Sequence, residues 1–363
     1  MKKNEFYRLD EIKKKLAQYN ILLGERANGK SGAVKEESVR LGLKTKKICS
    51  ALIRRFDEDI KSSVISSYFN DNFINEIIEK ESKGKFNCVT FYQRAFYFSH
   101  IDEEGKVERG FAFCKVFSIA DDERYKSSTV EPNIEIIIFE EFTTNKTYLY
   151  NEVTRFMNLC STILRLNTGR VYMIANKVIR VCPYFSEWCL KKIPKQKEGS
   201  IDVYEFEDLQ GTTVKIAVEL CASPSHKKSG MFFGRVGKQI DGGSWECKEH
   251  PHLIGDLSDY DILYSLTLKH LDFKFNICLL HHIEDEFLCV YVYPASIKIH
   301  DRVLTEEYSS NYFTTPTLLK SNRAECLIND LYKKNKVVFP TNLIGEDFKT
   351  ILSNMKQNPF TLI

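Results

Sequence analysis

Gly24-Glu25-Arg26-Ala27-Asn28-Gly29-Lys30-Ser31 reads G-x-x-x-x-G-K-S, the phosphate-binding loop pattern. Just ahead of it runs Tyr19-Asn20-Ile21-Leu22-Leu23, an apolar stretch of strand length. Ser31 to Leu43 behind it is predicted as a helix. Strand, loop and helix in that order separate a working loop from a chance match. Gly24 and Gly29 let the backbone curl until consecutive N–H groups point inward at phosphate oxygens. The helix N-terminus adds its positive dipole end. Lys30 is expected to reach the β- and γ-phosphates and Ser31 to ligate Mg²⁺, so ATP with Mg²⁺ is the expected ligand.

The chain has 363 residues, enough for two domains. Its composition is that of an ordinary globular protein, and no apolar run nears the eighteen or so residues of a membrane span. No signal-peptide core follows Met1-Lys2-Lys3, and no membrane partner is expected. The 11 cysteines lack paired spacing and read as reduced thiols of a cytoplasmic protein. Net charge is +3, but residues 251–363 carry −3, leaving the basic excess in the first 250. That part is the side expected to face a polyanion.

Leu9 to Gln18 is predicted as a short helix and Ile48 to Arg54 as a second strand. Asp57 to Lys83 carries apolar residues at three- and four-residue steps, from Ile60, Val64 and Ile65 to Phe73, Ile74, Ile77 and Ile78. Asn87 to His100 and Arg109 to Ile119 alternate around Asp102-Glu103-Glu104-Gly105, as a β-hairpin does. Ile134 to Phe139 is almost continuously apolar, which suits a central parallel strand. Tyr150 to Leu166 is predicted helical with Val153, Phe156, Met157, Cys160 and Leu164 on one face, and Arg170 to Ala175 is another buried strand. The expected fold is α/β: a mainly parallel P-loop domain over residues 1–220, with strands at Val203 to Phe206 and Thr213 to Leu220. A glycine-rich linker is expected over 221–250 and a small α+β domain over 251–363. In that domain Leu271 to Leu280, Glu286 to Tyr293 and Ser296 to His300 are candidate strands, and Arg323 to Lys334 and Glu346 to Met355 candidate helices.

Hydrolysis needs an anchored Mg²⁺ and a water aimed at the γ-phosphate. Ile136-Ile137-Ile138-Phe139-Glu140-Glu141 ends a buried strand in two carboxylates, Glu140 for the metal and Glu141 as general base. Such strands normally carry Asp at the metal position; Glu140 is one methylene longer, which opens a role through a metal-bound water. Asn176 ends the next strand, where a polar side chain can sense the γ-phosphate, and Arg165 ends the intervening helix. By spacing alone the favoured reading of Asn176 is a turn residue and that of Arg165 a helix C-terminal charge.

GERANGKS, IIIFEEF, YNEVTRFMNLCSTILR, and IAN followed by CPYF occur in that order. Together they resemble the DNA-packaging ATPase (encapsidation protein) of small short-tailed, protein-primed bacteriophages, well over residues 15–190 and more thinly at Phe233-Gly234-Arg235 and Ile240-Asp241-Gly242. The resemblance implies an additional-strand P-loop ATPase in a homopentameric ring at the capsid portal, driving double-stranded DNA into a preformed capsid. It implies a protein of the host cytoplasm that resides transiently at the portal vertex. It makes Arg165 a finger reaching a neighbouring subunit's ATP, makes Arg26 the basic residue inside the loop, and approximately matches Lys126 to a second basic residue acting across the subunit boundary. It implies an RNase H-like C-terminal domain without nuclease acids, which in some members docks on a structural RNA. Asp272, Glu284, Asp285, Glu286 and Asp301 cluster at a strand start and at turns, which disfavours a two-metal cleft.

Two other readings stay open on the residues alone: a P-loop kinase for a small substrate, and a non-catalytic nucleotide-binding module at a portal. Lys44, Lys46, Lys47, Arg54 and Arg55 read equally as DNA-phosphate contacts or as a solvated basic face. Cys247, His250 and His252 lack a second pair at zinc spacing and read as loop residues. Tyr184 and Trp188 read as core or interface aromatics.

Overall fold

A computed structural model describes residues 6–25, 28–125, 132–144, 148–165, 168–176, 181–208, 211–222, 249–295, 302–305, 322–355 and 359–360. The described strands of the first part are β1 (Tyr19–Gly24), β2 (Ser50–Arg54), β3 (Cys88–Tyr92), β4 (Ala95–Ile101), β5 (Val107–Ser118), β6 (Ile136–Glu140), β7 (Arg170–Asn176), β8 (Ile201–Glu207) and β9 (Thr213–Leu220). They form one sheet in the order β3-β4-β5-β2-β6-β7-β1-β9-β8. From β5 to β9 every neighbour is parallel, and an antiparallel partner closes each side. β6 and β1 are separated by β7, which is the inserted strand of the additional-strand class expected from the sequence.

The central strands are apolar because helices cover both faces. Ile136, Ile137, Ile138 and Phe139 of β6 are all fully buried. Helix α1 (Lys30–Thr45) follows the loop and packs close to the sheet. At Gly42 an added Cβ would lie 2.7 Å from Phe113 Cβ, so only glycine lets the helix approach this far.

The helical periodicity over Asp57 to Lys83 resolves into three pieces. A 3-10 turn spans Asp57–Ile60, a single turn Ser62–Ile65, and helix α2 Asn72–Glu81. Asp71 caps α2 by accepting from the Ile74 N–H at 3.0 Å. Ile60, Ile65, Phe69, Ile74, Ile77 and Ile78 are buried as the spacing predicts, whereas Val64 and Phe73 are exposed. The expected strand over Asn87 to His100 is two strands, β3 and β4, joined at Gln93 and Arg94, both in the left-handed region (φ 45 and 60). Helix α3 (Glu152–Leu164) turns Val153, Phe156, Leu159, Cys160 and Ile163 inward, so Met157 lies outside the buried face.

The chain divides into two compact units, and the division does not follow sequence order. Thr144–Tyr148 and Val178–Cys189 join the second unit with Phe233–Ile363, although sequence order puts them inside the 1–220 domain. Val181 belongs to the same buried cluster as Leu266, Ile277 and Val292. Tyr184 and Trp188 are buried beside each other, ring centroids 5.6 Å apart, as core aromatics. The expected linker falls mostly on 223–248, outside the described residues.

The second unit holds β10 (Tyr260–His270), β11 (Phe273–His282), β12 (Leu288–Pro294), β13 (Val303–Thr305) and β14 (Val337–Val338), ordered β13-β10-β11-β12-β14. β10, β11 and β12 form an antiparallel meander, and β13 runs parallel beside β10. That pattern is the one expected of an RNase H-like sheet, covered here by α4 (Arg323–Lys333) and α5 (Asn342–Asn354). Strand β10 is absent from the sequence expectation, and the candidate strand Ser296 to His300 lies outside the described residues. His250 is buried with Nε2 3.1 Å from Glu346 Oε2, and the exposed His252 has Nδ1 3.0 Å from the Phe339 carbonyl oxygen.

Candidate nucleotide site

The phosphate loop leaves β1 at Gly24, which stands in register beside Asn176, the last residue of β7. Glu140, the last residue of β6, stands in register beside Ile174. The loop and both polar strand ends therefore meet at one edge of the sheet, where ligands of open α/β sheets bind. Gly24 and Gly29 stand where a side chain would not fit. A Cβ on Gly24 would lie 2.7 Å from Asn28 Nδ2 and 3.1 Å from the Cys221 carbonyl oxygen. Gly29 caps α1 at φ 94, where an L side chain would be strained.

Lys30 is only 4% exposed. Its ammonium donates to the Glu25 carbonyl oxygen at 2.7 Å and to Asn28 Oδ1 at 3.0 Å. Burial pushes its pKa from 10.5 down to about 8, while the charges of Glu25 and Glu140 oppose the shift. Ser31 follows in the first turn of α1, half-buried. Arg26 and Ala27 lie outside the described residues, and so does Lys126.

The two carboxylates after β6 face different surroundings. Glu140 is half-buried and its Oε1 is buried without a hydrogen-bond partner. Glu141 is exposed and turns at φ 55; its N–H donates to the Ile174 carbonyl oxygen at 2.9 Å. Asn28 Nδ2 and Arg54 Nε are likewise buried and unpartnered, and the Tyr68 hydroxyl is buried beside the Glu140 carboxylate without closing a hydrogen bond of normal geometry. Burial and the adjacent Glu140 charge raise the Tyr68 hydroxyl well above the usual tyrosine value. Buried polar atoms are normally paired, so this set is an incomplete hydrogen-bond network. Donors at Lys30, Asn28 and Arg54 suit phosphate oxygens, and Glu140 with Ser31 suits a hard divalent cation. The residues therefore fit ATP with Mg²⁺.

Arg165 lies at the opposite edge. It caps the C-terminus of α3 with its N–H donating to the Ser161 carbonyl oxygen at 2.8 Å, just before Arg170 pairs beside Ile136 at the start of β6. β7, with 7 residues, separates that edge from the loop, a span of roughly 20 Å. The Arg165 backbone adopts φ 48 and ψ −107, outside the regions an ordinary residue prefers.

Three supports of the site have no signal in the sequence. The Tyr7 N–H donates to the Asn28 carbonyl oxygen at 3.0 Å and its hydroxyl to Glu219 Oε2 at 2.7 Å, so the chain start braces the loop. Tyr68 lies beneath two cations, with Lys35 Nζ 4.5 Å and the Arg54 guanidinium 5.2 Å from its ring centre. Arg55 is buried, not part of a solvated basic face, and its Nε donates to Glu152 Oε2 at 2.9 Å. Removing one partner of such a buried pair costs about 3–5 kcal/mol.

Residues 1–278 match the model of a family described as podovirus DNA encapsidation protein (Gp16). The chain belongs to this family. This encapsidation-family chain is 28% identical over 262 residues to the DNA packaging proteins of Bacillus phages PZA and phi29, covering 70% of itself and 68% of each of them. Its fold is similar to the solved bacteriophage phi-29 viral genome packaging motor assembly, with TM-score 0.55, 19% identity, and coverage of 96% of this chain and 100% of that one. It is also similar to the phi-28 gp11 DNA packaging motor, with TM-score 0.53, 14% identity, and coverage of 98% and 99%. At those identities the solved structures speak for the fold of the encapsidation chain. Among its described residues no helix is long and apolar enough to cross a membrane.

Proposed function

We propose that this chain is the ATP-hydrolysing subunit of a ring motor that drives double-stranded viral DNA through the capsid portal into a preformed shell. The observation that carries the reading is the register of Gly24, Asn176 and Glu140 at one sheet edge in a member of the encapsidation family.

Each residue has a part. Backbone N–H groups of Gly24 to Ser31 cradle the phosphates and Lys30 neutralises the β/γ pair. Ser31 and Glu140 would hold Mg²⁺, which would supply charge neutralisation to the transferring phosphate when bound. Glu141, exposed beside that carboxylate, orients a water and takes its proton. Asn176 senses the γ-phosphate from the neighbouring strand. Arg165 is a strand length from its own loop, so it acts on the ATP of an adjacent subunit. Arg26 and Lys126 add positive charge to the same phosphates. A homopentamer gives every finger a pocket.

Residues 251–363 serve as a docking domain of nuclease ancestry at the portal in the host cytoplasm. Their −3 balance favours a local contact with a structural RNA, such as exposed Lys333, Lys334 and Lys336, over an extended phosphate-binding face. The test is a nuclease-protection assay with purified capsids, double-stranded DNA and this protein. Genome-length protected DNA that requires ATP supports the reading. Protection without ATP, or none in an otherwise complete mixture, overturns it.

A further inference from the structure

We infer that Arg55 is a positioning residue for Glu141, and that it ties the catalytic turn to the helix carrying Arg165. The inference rests on the proposed role of Glu141 as the water-orienting base. One guanidinium reaches three acceptors on two elements. Arg55 Nη1 donates to the Glu141 carbonyl oxygen at 3.2 Å and Nη2 to the Phe142 carbonyl oxygen at 2.8 Å. Its Nε donates to Glu152 Oε2 at 2.9 Å, and the same oxygen accepts the Leu149 N–H at 2.8 Å.

The turn needs such a hold. Glu141 sits at φ 55, a left-handed conformation that a residue with a side chain adopts at a cost. Its N–H is fixed to the Ile174 carbonyl oxygen at 2.9 Å, so Arg55 secures the other side of the same residue. The guanidinium lies over the Phe139 ring, 5.8 Å from its centre, and Arg55 is 8% exposed. In that setting its hydrogen bonds are strong and geometrically strict.

Glu152 is the first residue of α3 and Arg165 its C-cap, so one rigid helix joins the clamp to the proposed finger. A second pair holds the same helix end: Arg155 Nε donates to Asp122 Oδ1 at 2.9 Å, and Arg155 Nη2 to the Ala120 carbonyl oxygen at 2.8 Å. The Ala120 N–H returns to the Arg55 carbonyl oxygen at 3.1 Å. A shift of α3 at a subunit boundary is thereby felt at Glu141, and the reverse.

The test is a double-mutant comparison of Arg55→Lys and Glu141→Gln, read as single-turnover ATP cleavage and as equilibrium nucleotide affinity. Lysine keeps the charge for Glu152 but cannot span all three acceptors. Arg55→Lys is expected to slow cleavage at least tenfold with affinity within about threefold of the parent, a split that general loss of structure does not produce. Because Arg55 acts through Glu141, Arg55→Lys in the Glu141→Gln background should slow cleavage no further. Additive losses, or unchanged cleavage by Arg55→Lys while Glu141→Gln is inactive, overturn the positioning role. Near-normal cleavage by Glu141→Gln itself sinks the underlying assignment instead. If Arg55→Lys does not fold, Glu152→Gln carries the same comparison, since it removes the charge that holds Arg55 and keeps an acceptor.

Discussion

Gly24 and Asn176 stand side by side in register at the ends of two parallel strands, β1 and β7. One opens the phosphate loop and the other is the polar tip of the strand inserted between the loop and the acidic strand. This adjacency sets a polar amide beside the place where phosphate is expected, without any long-range coincidence of loops.

Lys30→Ala removes the buried cation proposed to face the β/γ-phosphates. Nucleotide affinity should fall by at least two orders of magnitude in a calorimetric titration, with the fold preserved by circular dichroism. Unchanged affinity would dismiss the phosphate-loop assignment.

Burial depresses Lys30 to about 8, so near pH 8.5 much of it is neutral in the free protein. Phosphate favours the ammonium, so nucleotide binding takes up a proton there, and affinity weakens as pH rises through 8. Calorimetry with ADP and EDTA, in buffers of differing ionisation enthalpy, reads this uptake directly. The same depressed value makes the unfolded chain the better proton binder between about pH 8 and 10.5, so this group's contribution to stability rises with pH across that window. Binding without proton exchange at pH 8.5 contradicts the assignment.

Arg165→Ala should bind ATP normally and fail to cleave it, since a trans-acting arginine is worth roughly 10³ to 10⁵ in rate. Mixed with Lys30→Ala at constant total protein, it should recover part of the activity. The Lys30→Ala subunit still presents its finger, and the Arg165→Ala subunit still presents its pocket. No recovery in demonstrably mixed rings would place Arg165 in a structural role.

Gly42→Ala gains about 1 kcal/mol of helix propensity. It also drives a Cβ to 2.7 Å from Phe113 Cβ and 3.1 Å from the Phe98 ring. Overpacking of this kind costs roughly 1–3 kcal/mol. The melting temperature should fall, and a rise would show that the helix can lift off the sheet.

The strand, loop and helix around Gly24 to Lys30 and the buried strand ending at Glu140 were legible because each is a contiguous pattern, whereas Asn176 is a single polar residue that only the β1–β7 register sets beside Gly24. The β3–β4 turn was hidden because Gln93 and Arg94 adopt positive φ without glycine or asparagine to announce it. In α3 the apolar positions outnumber the buried face, so Met157 and Leu159 could not be ranked by spacing. The Arg55–Glu152 pair links positions 97 apart, and the Tyr7–Glu219 contact positions 212 apart. No local periodicity encodes such contacts; only the strand order brings them together.

The most direct measurement is phosphate release by the wild-type protein, alone and with capsids and double-stranded DNA, with Glu141→Gln as the baseline. The account predicts turnover that rises when capsids and DNA are both present and collapses to background in Glu141→Gln although nucleotide still binds. Phosphate release indifferent to capsids and DNA, or undiminished in Glu141→Gln, would contradict it.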